Sequence, residues 1–191
     1  MKKKDAIIKR IFDVTLSLIT LLELGLFILL LIIIARMDTG QSGIFKQKRV
    51  GQHGFLFNIY KLRTIKEDMN GIQIITSVGK FLRKSKLDEL PQLFNVLIGD
   101  MSFVGPRPDI EGFADKLIGD DRIILSIKPG ITGVATIYFR DEELLLKNIE
   151  NPENYNLNVI WPKKIALNKD YINEYSFVKD IKLILKTIFR I

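Results

Sequence analysis

Residues 14–35 read VTLSLITLLELGLFILLLIIIA, a run whose polar members are small except for Glu23. A helix of ~20 apolar residues covers the hydrocarbon core of a bilayer, so this stretch has the length of a membrane segment. It is longer than the ~7–15-residue apolar core of a secretory signal, and with no small-residue cleavage site after it the segment is expected to be retained. Working outward, both flanks are basic: Lys2, Lys3, Lys4, Lys9 and Arg10 precede the run, and Arg36, Lys46, Lys48 and Arg49 follow it. A single crossing is the simplest reading of length and composition. Positive charge, however, accumulates on the side that is not translocated, and a single crossing strands one of the two clusters. A helix that enters, bends at Glu23-Leu24-Gly25 and returns keeps both clusters on one face. Gly25 weakens the helix there, and Glu23 at mid-bilayer must be neutralised, paired or hydrated.

The rest of the composition narrows the chemistry. The 191 residues accommodate one compact domain plus an appendage. At 47% hydrophobic and 27% charged, the chain is apolar for a soluble domain and too charged for a polytopic membrane protein. It has no cysteine, which excludes disulfides, thiolate metal sites and a cysteine nucleophile and is compatible with a reducing cytoplasm. The net charge of +7 predicts attraction to polyanions: nucleic acid, anionic lipid headgroups or phosphorylated substrates. His53, the single histidine, stands in a glycine-flanked loop and is assigned no role.

Beyond the apolar run the pattern is mixed. Gly51 and Gly54 bracket a turn, and Phe55 to Tyr60 reads as a strand. Helical spacing returns at Val78 to Lys86, again at Leu87, Leu90, Leu93, Phe94 and Leu97, and around Ile110 to Leu117. Residues beyond Asp141 read as a charged connection, ending in a helix from about Ser176. In that helix Phe177, Val178, Ile181, Ile184, Leu185, Ile188 and Phe189 fall on one side, and Lys179, Lys182, Lys186 and Arg190 on the other. This basic amphipathic pattern suits a segment lying in a membrane interface, and equally a helix covering a domain with its basic face solvated. The whole is an α+β chain, mainly helical.

Several stretches could carry chemistry. In Lys86-Leu87-Asp88-Glu89-Leu90-Pro91-Gln92-Leu93, two carboxylates sit side by side. Proline is tolerated only in the first turn of a helix, so Pro91 predicts a helix starting near Asp88, with Asp88 at or beside the N-cap, where the helix dipole and unpaired N–H groups favour an ionised carboxylate. Such a group serves as nucleophile or metal ligand; an ordinary capping aspartate has the same local pattern. In the segment Gly99 to Pro108, Arg107 is held between Pro106 and Pro108, a stiff arm suited to bidentate phosphate binding or a plain rigid turn. Strand alternation would place Lys61 and Arg63 on one face, available to pyrophosphate or lipid phosphate, or simply as a basic strand edge. Lys128-Pro129-Gly130-Ile131-Thr132-Gly133 is a turn whose glycines allow close backbone approach.

In order and spacing these segments resemble the bacterial sugar transferase family, the small monotopic phosphoglycosyl transferases that begin the assembly of surface glycans. The resemblance runs through Lys9 to Asp13, Phe45 to Gly51, Ile59 to Thr64, Gly79 to Lys84, Leu87 to Leu93, Gly99 to Pro108 and Lys128 to Gly133. It implies a re-entrant membrane helix over residues 1–40, dipping into the cytoplasmic leaflet of the bacterial inner membrane, and a small cytoplasmic catalytic domain over 41–191 with interfacial amphipathic helices. It also implies the reaction: a UDP-sugar gives its sugar phosphate to Asp88 with release of UMP, and polyprenyl phosphate takes it from that intermediate. By the same resemblance Mg²⁺ is expected with Asp88 as a ligand, Glu89 as a helper, and Arg107, Lys61 and Arg63 as phosphate-binding groups. Expected partners are the UDP-sugar, the polyprenyl phosphate and anionic lipids. A homo-oligomer is compatible with the sequence. Two departures stand out: many members break the membrane helix with Ser-Pro where this chain has Glu23-Leu24-Gly25, and carry a Trp-Ala-Gln and Asn-Gly-Arg-Asn pattern where this chain has Val134 to Glu143.

The rival function is a basic, membrane-tethered binding module in which Asp88 and Glu89 only cap a helix. The chain lacks the aromatic-plus-basic platform of single-strand binders and any recognisable nucleic-acid motif, so nucleic acid is not an expected partner. The charge pattern makes its own prediction: single cysteines placed at Lys4 and at Ser42 should both react with an impermeant thiol reagent only from the cytoplasmic side. Labelling from opposite sides would establish a single crossing.

Overall fold

The computed structural model describes residues 1–68 and 71–189, without the side chain of Glu143. The chain is mainly helical with three small two-stranded sheets, the expected α+β class. Its first element, α1, runs from Lys3–Thr39 without interruption. The expected break at Glu23-Leu24-Gly25 is not there as a loss of helix: one glycine costs only ~1 kcal/mol, and the leucines and isoleucines on either side are good enough helix formers to carry the ladder through. The helix is two-sided. Lys9, Asp13, Ser17, Leu31, Ala35 and Thr39 recur at helical spacing as its buried stripe, while Leu22, Leu26, Leu30 and Met37 face outward.

The rest divides into two compact units, to both of which α1 contributes. One unit comprises Phe12–Arg49 and Leu56–Met101. Here β1 (Ile44–Val50) pairs with β2 (Leu56–Leu62), and β3 (Ile65–Glu67) pairs antiparallel with β4 (Gln73–Ile75), Lys66 opposite Ile74. Helix α2 (Ser77–Lys84) is capped by Thr76, whose hydroxyl accepts from the Gly79 N–H at 2.8 Å. A Cβ on Gly79 would lie 2.3 Å from the Thr64 carbonyl, so only glycine lets α2 pack this closely. Leu31 and Ala35 of α1, Leu62 of β2 and Leu82 of α2 form the core. A 3₁₀ turn, Leu87–Glu89, then leads into α3 (Gln92–Ile98).

The other unit comprises Met1–Ile11, Val50–Phe55 and Ser102–Ile191. In it β5 (Ser102–Val104) pairs parallel with β6 (Gly130–Thr132), Val104 opposite Thr132. Gly105, Gly130 and Gly133 meet backbone to backbone there: a Cβ on Gly130 would stand 2.1 Å from the Gly105 nitrogen, and one on Gly133 2.2 Å from the Gly105 oxygen. The glycines of the Pro129-Gly130 turn thus serve chain-on-chain packing. Four helices follow, α4 (Val134–Tyr138), α5 (Glu142–Lys147), α6 (Pro152–Tyr155) and α7 (Trp161–Asn173), where the sequence suggested a charged connection. The missed signal in α7 is Trp161, Ile165, Asn168 and Ile172 at helical spacing behind Pro162 in the first turn, diluted by intervening lysines. Conversely, the helix expected over Ile110 to Leu117 is only a 3₁₀ turn at Ala114–Lys116, because Gly112 adopts φ of 102° and its N–H is taken by the Asp115 side chain at 2.7 Å.

The last helix, α8 (Phe177–Phe189), is where expected. Arg190 lies outside the described residues. The single apolar side splits in two: Leu183 and Ile184 pack on the core around Val104, Ile127, Ile165 and Ile172, whereas Val178, Leu185, Ile188 and Phe189 are exposed beside Lys182 and Lys186. Core-facing with them is Asp180, 1% exposed, which accepts from Lys9 Nζ at 2.6 Å, Tyr171 Oη at 2.5 Å and Tyr175 Oη at 3.1 Å. This fully satisfied buried pair ties the first turns of α1 to α8. Removing one member of such a pair costs ~3–5 kcal/mol, because the other charge is left buried alone. Accordingly, Lys9→Met should lower the unfolding midpoint of the detergent-solubilised protein strongly, and adding Asp180→Leu should restore most of the loss. Equal midpoints for wild type and Lys9→Met would show that the pair contributes nothing.

Candidate active site

Pro91 shapes the region around the paired carboxylates. It has no N–H to give to the Leu87 carbonyl, so the Leu90 N–H takes that carbonyl instead at 3.2 Å, and the chain tightens into the 3₁₀ turn that carries Asp88 and Glu89. Helix α3 begins only at Gln92, with Pro91 at its N-cap, so Asp88 is not the cap of that helix. The turn is entered through Lys86 in the left-handed conformation, φ 59°, uncommon for a residue with a Cβ.

Asp88 is 8% exposed, and its Oδ1 is buried without a hydrogen-bond partner among the described residues. Burial, with the Glu89 carboxylate beside it, raises its pKa above the ordinary carboxylate value, while Lys61, Lys86 and Arg83 pull it down less strongly. This corrects the expectation that N-terminal amides hold Asp88 ionised: no helix start is aimed at Oδ1, so desolvation wins.

The cations are held by the fold. Lys61, in β2, reaches Glu89 Oε1 at 3.0 Å. Arg63 lies one residue past the end of β2, so strand alternation does not carry over to it: its Nε donates to the Ser42 carbonyl at 2.8 Å and its guanidinium lies over the Phe45 ring. Lys61 and Arg63 therefore do not act as one phosphate-facing pair. Arg83 of α2 donates from Nε to the Thr64 hydroxyl at 2.8 Å and belongs to the charge environment of Asp88, as does Lys86. Sequence reasoning missed both; their signal was a position two and five residues before Asp88, within reach on a compact turn.

What positions Lys61 is Asn95, fully buried in α3. Its Oδ1 accepts from the Tyr60 N–H at 3.0 Å and its Nδ2 donates to the Asn58 carbonyl at 2.8 Å, so one side chain completes the free edge of β2 just before Lys61. Its own carbonyl accepts from Gly99, Asp100 and Met101, closing the end of α3.

Arg107 belongs to the other compact unit. Pro106 and Pro108 are buried and Arg107 between them is exposed, the stiff arm expected from the sequence. The Pro106 carbonyl accepts from the Gly130 N–H at 2.8 Å, which anchors the arm to β6. A small depression beside Arg107 is lined by Gly51, Pro106, Asp109, Ile124 and Pro129.

No group of three or more metal-ligating side chains occurs among the described residues. Mg²⁺ commonly keeps several waters and takes one or two protein carboxylates alongside substrate phosphates. The unpartnered Oδ1 of Asp88 with Glu89 beside it fits that sparse kind of site, and does not fit a cage built by protein alone.

A family model described as bacterial sugar transferase matches residues 4–191. An uncharacterized sugar transferase, EpsL, of Bacillus subtilis is 34% identical over 97% of this chain and 87% of its own length. The galactosyl transferase CpsE of Streptococcus agalactiae is 37% identical over 98% of this chain, and an undecaprenyl-phosphate galactose phosphotransferase of Salmonella typhimurium 31% over 97%; the chain spans 42% and 40% of their lengths.

The raised pKa of Asp88 has a thermodynamic consequence. Between the ordinary value of 3.8 and the raised one the folded state binds more protons than the unfolded, so stability falls as pH rises through that interval, and above it the ionised carboxylate is a standing cost. Asp88→Asn should therefore be more stable than wild type at neutral pH by ~1 kcal/mol, the scale of one unsatisfied buried polar atom. The difference should shrink as pH falls into the ordinary carboxylate range. Thermal unfolding from pH 4 to 8 checks it, and an Asn variant less stable than wild type at pH 7 would contradict it.

Proposed function

Because the chain belongs to the bacterial sugar transferase family, we propose that it moves a sugar phosphate from a UDP-sugar to undecaprenyl or another polyprenyl phosphate, with Asp88 as the covalent acceptor. The observation that carries this reading is the buried, unpartnered Oδ1 of Asp88 next to the Lys61–Glu89 ion pair.

A carboxylate oxygen with no hydrogen bond keeps its lone pairs for attack, and burial makes the ionised form more reactive by stripping its water. In the first half-reaction Asp88 Oδ1 bonds to the phosphorus that bears the sugar, the bond from that phosphorus to the bridging oxygen breaks, and UMP leaves. In the second, a phosphate oxygen of the polyprenyl phosphate attacks the same phosphorus, the aspartyl oxygen leaves, and the polyprenyl diphospho-sugar forms with the carboxylate restored. An anionic nucleophile meeting an anionic substrate needs cations. Lys61, Lys86 and Arg83 supply fixed positive charge around Asp88, and Arg107 is the exposed arm suited to phosphate. Mg²⁺, held by Asp88 and substrate phosphates, would supply further charge neutralisation. Glu89, fixed by Lys61, keeps that lysine directed at the site and is placed to take a proton.

The long apolar α1 and the exposed Val178, Leu185, Ile188 and Phe189 of α8 beside its lysines support a seat on anionic lipid at the cytoplasmic face of the inner membrane, where the polyprenyl acceptor resides. The printed activities of the relatives support glycan assembly as the setting.

A panel of UDP-sugars with Mg²⁺ and polyprenyl phosphate tests the reading and names the donor. Wild type should release UMP from at least one, and Asp88→Asn, folded and membrane-bound, should be slower by at least ~10³-fold. Equal rates would end the covalent reading and leave a membrane-tethered binding module.

A further inference from the structure

An aromatic and basic cluster lies apart from the carboxylates, in the unit that holds Arg107. Tyr138, the last residue of α4, is 62% exposed although large and aromatic. Its ring packs edge to face on Phe139 with centroids 4.9 Å apart, which fixes its orientation. Lys163 Nζ stands 5.8 Å from the Tyr138 centroid, and Lys164 Nζ 5.7 Å from that of Phe139. The two lysines are not equivalent. Lys164 is neutralised by Glu142 at 2.7 Å, whereas no carboxylate pairs with Lys163 among the described residues. The result is an open ring, held at its edge, with an uncompensated ammonium beside it.

Its place in the fold gives this cluster a ligand. Gly133, where α4 starts, is packed against Gly105, two residues from Arg107, so closely that no Cβ fits between them. From there α4 is five residues long, roughly 7 Å of helix. The open ring and the phosphate-type arm thus stem from one rigid backbone junction and are separated by about the reach of a nucleotide from its phosphates to its base. Flat rings stack on exposed aromatic faces whatever their identity, and an ammonium alongside suits both a base carbonyl and a nearby phosphate oxygen.

We infer that Tyr138, flanked by Lys163, is the stacking platform for the nucleobase of the nucleoside diphosphate-sugar donor, with Arg107 on the phosphates of the same molecule. This rests on the transferase reading above and adds the residue that grips the base end of the donor. Because the base is common to donor and released nucleotide, the platform binds the UDP-sugar and UMP alike and takes no part in the bond changes at phosphorus.

The test uses the full chain in lipid nanodiscs. Base stacking is worth ~1–3 kcal/mol, so Tyr138→Ala should raise KM for the UDP-sugar by roughly 5- to 100-fold with kcat nearly kept, and weaken UMP binding, measured by calorimetry without turnover, by the same factor. Tyr138→Trp should retain both, and Lys163→Gln, an exposed change that leaves the fold alone, should weaken UMP several-fold. A higher KM with UMP affinity unmoved would place the ring on the sugar and overturn the inference. So would a loss of binding to phosphatidylglycerol vesicles with UMP affinity unmoved, which would make the cluster a membrane contact, and so would unchanged constants throughout. Release of UMP by wild type decides the transferase reading separately: if wild type releases UMP and Tyr138→Ala binds it normally, only the platform fails, whereas a wild type that neither binds nor releases it overturns both.

Discussion

A single buried amide, Asn95, sets the geometry on which the carboxylate site depends. It closes the free edge of β2 at Asn58 and Tyr60 from one end and caps α3 with its carbonyl at the other. A buried amide with both ends satisfied is a directional constraint, since neither a shift in strand register nor a slide of α3 preserves the two bonds. Lys61 follows Tyr60 directly, and Glu89 precedes α3 by one proline-containing turn. Their 3.0 Å ion pair is therefore a consequence of where Asn95 holds two backbones, more than of the weak attraction between two partly exposed charges.

That frame sustains an unfavourable group. Asp88 is buried beside Glu89 with one oxygen unpartnered, and the cations around it do not fully offset the desolvation. A core position with this balance would ordinarily be apolar. Persistence of the charge is what a site that must present a naked carboxylate requires, and the surrounding structure supplies the stability that the site itself subtracts. Lys86 at positive φ and the 3₁₀ turn imposed by Pro91 belong to the same local departure from regular geometry.

How much of this could be read from the sequence follows from which interactions are local. The paired acids, the Pro-Arg-Pro arm, the Gly51–Gly54 turn, β2 and α8 depend on short-range pattern, and the structure places them where that pattern indicates. Asp88 as a helix cap went wrong because Pro91 was read as an early helical residue, whereas its missing donor forces a separate tighter turn first. Arg63 was grouped with Lys61 by strand period, but the strand ends between them. Lys9, Asp180 and Asn95 were invisible as a class: each is a polar residue whose partner is distant in sequence, 171 positions away for Lys9, and no periodicity encodes such pairing. The apolar run concealed the same thing, since the buried polar stripe of Lys9, Asp13 and Ser17 lies just before and within it and only the fold shows which face it occupies.

The Lys9–Asp180 pair also bears on how α1 meets a membrane. At 37 residues the helix is roughly 55 Å long, well beyond the ~30 Å hydrocarbon core. Its first turns are bound to α8 within one compact unit, and its far end continues directly into β1. Among the described residues no other helix is long and apolar enough to cross a bilayer, so the chain from Gly40 to Asp180 has no such helix with which to change sides. Lys9, bonded to Asp180, then stands on the same side as Gly40, and both ends of α1 share one face of any membrane it enters. This supports the same topology as the two basic flanks, on independent grounds, and it does so with an unbroken helix: the return to one face does not require loss of helical structure at Gly25. The outward leucines from Leu18 to Leu30 are then the part that meets lipid, with Glu23 among them as the residue whose depth is limited by its charge.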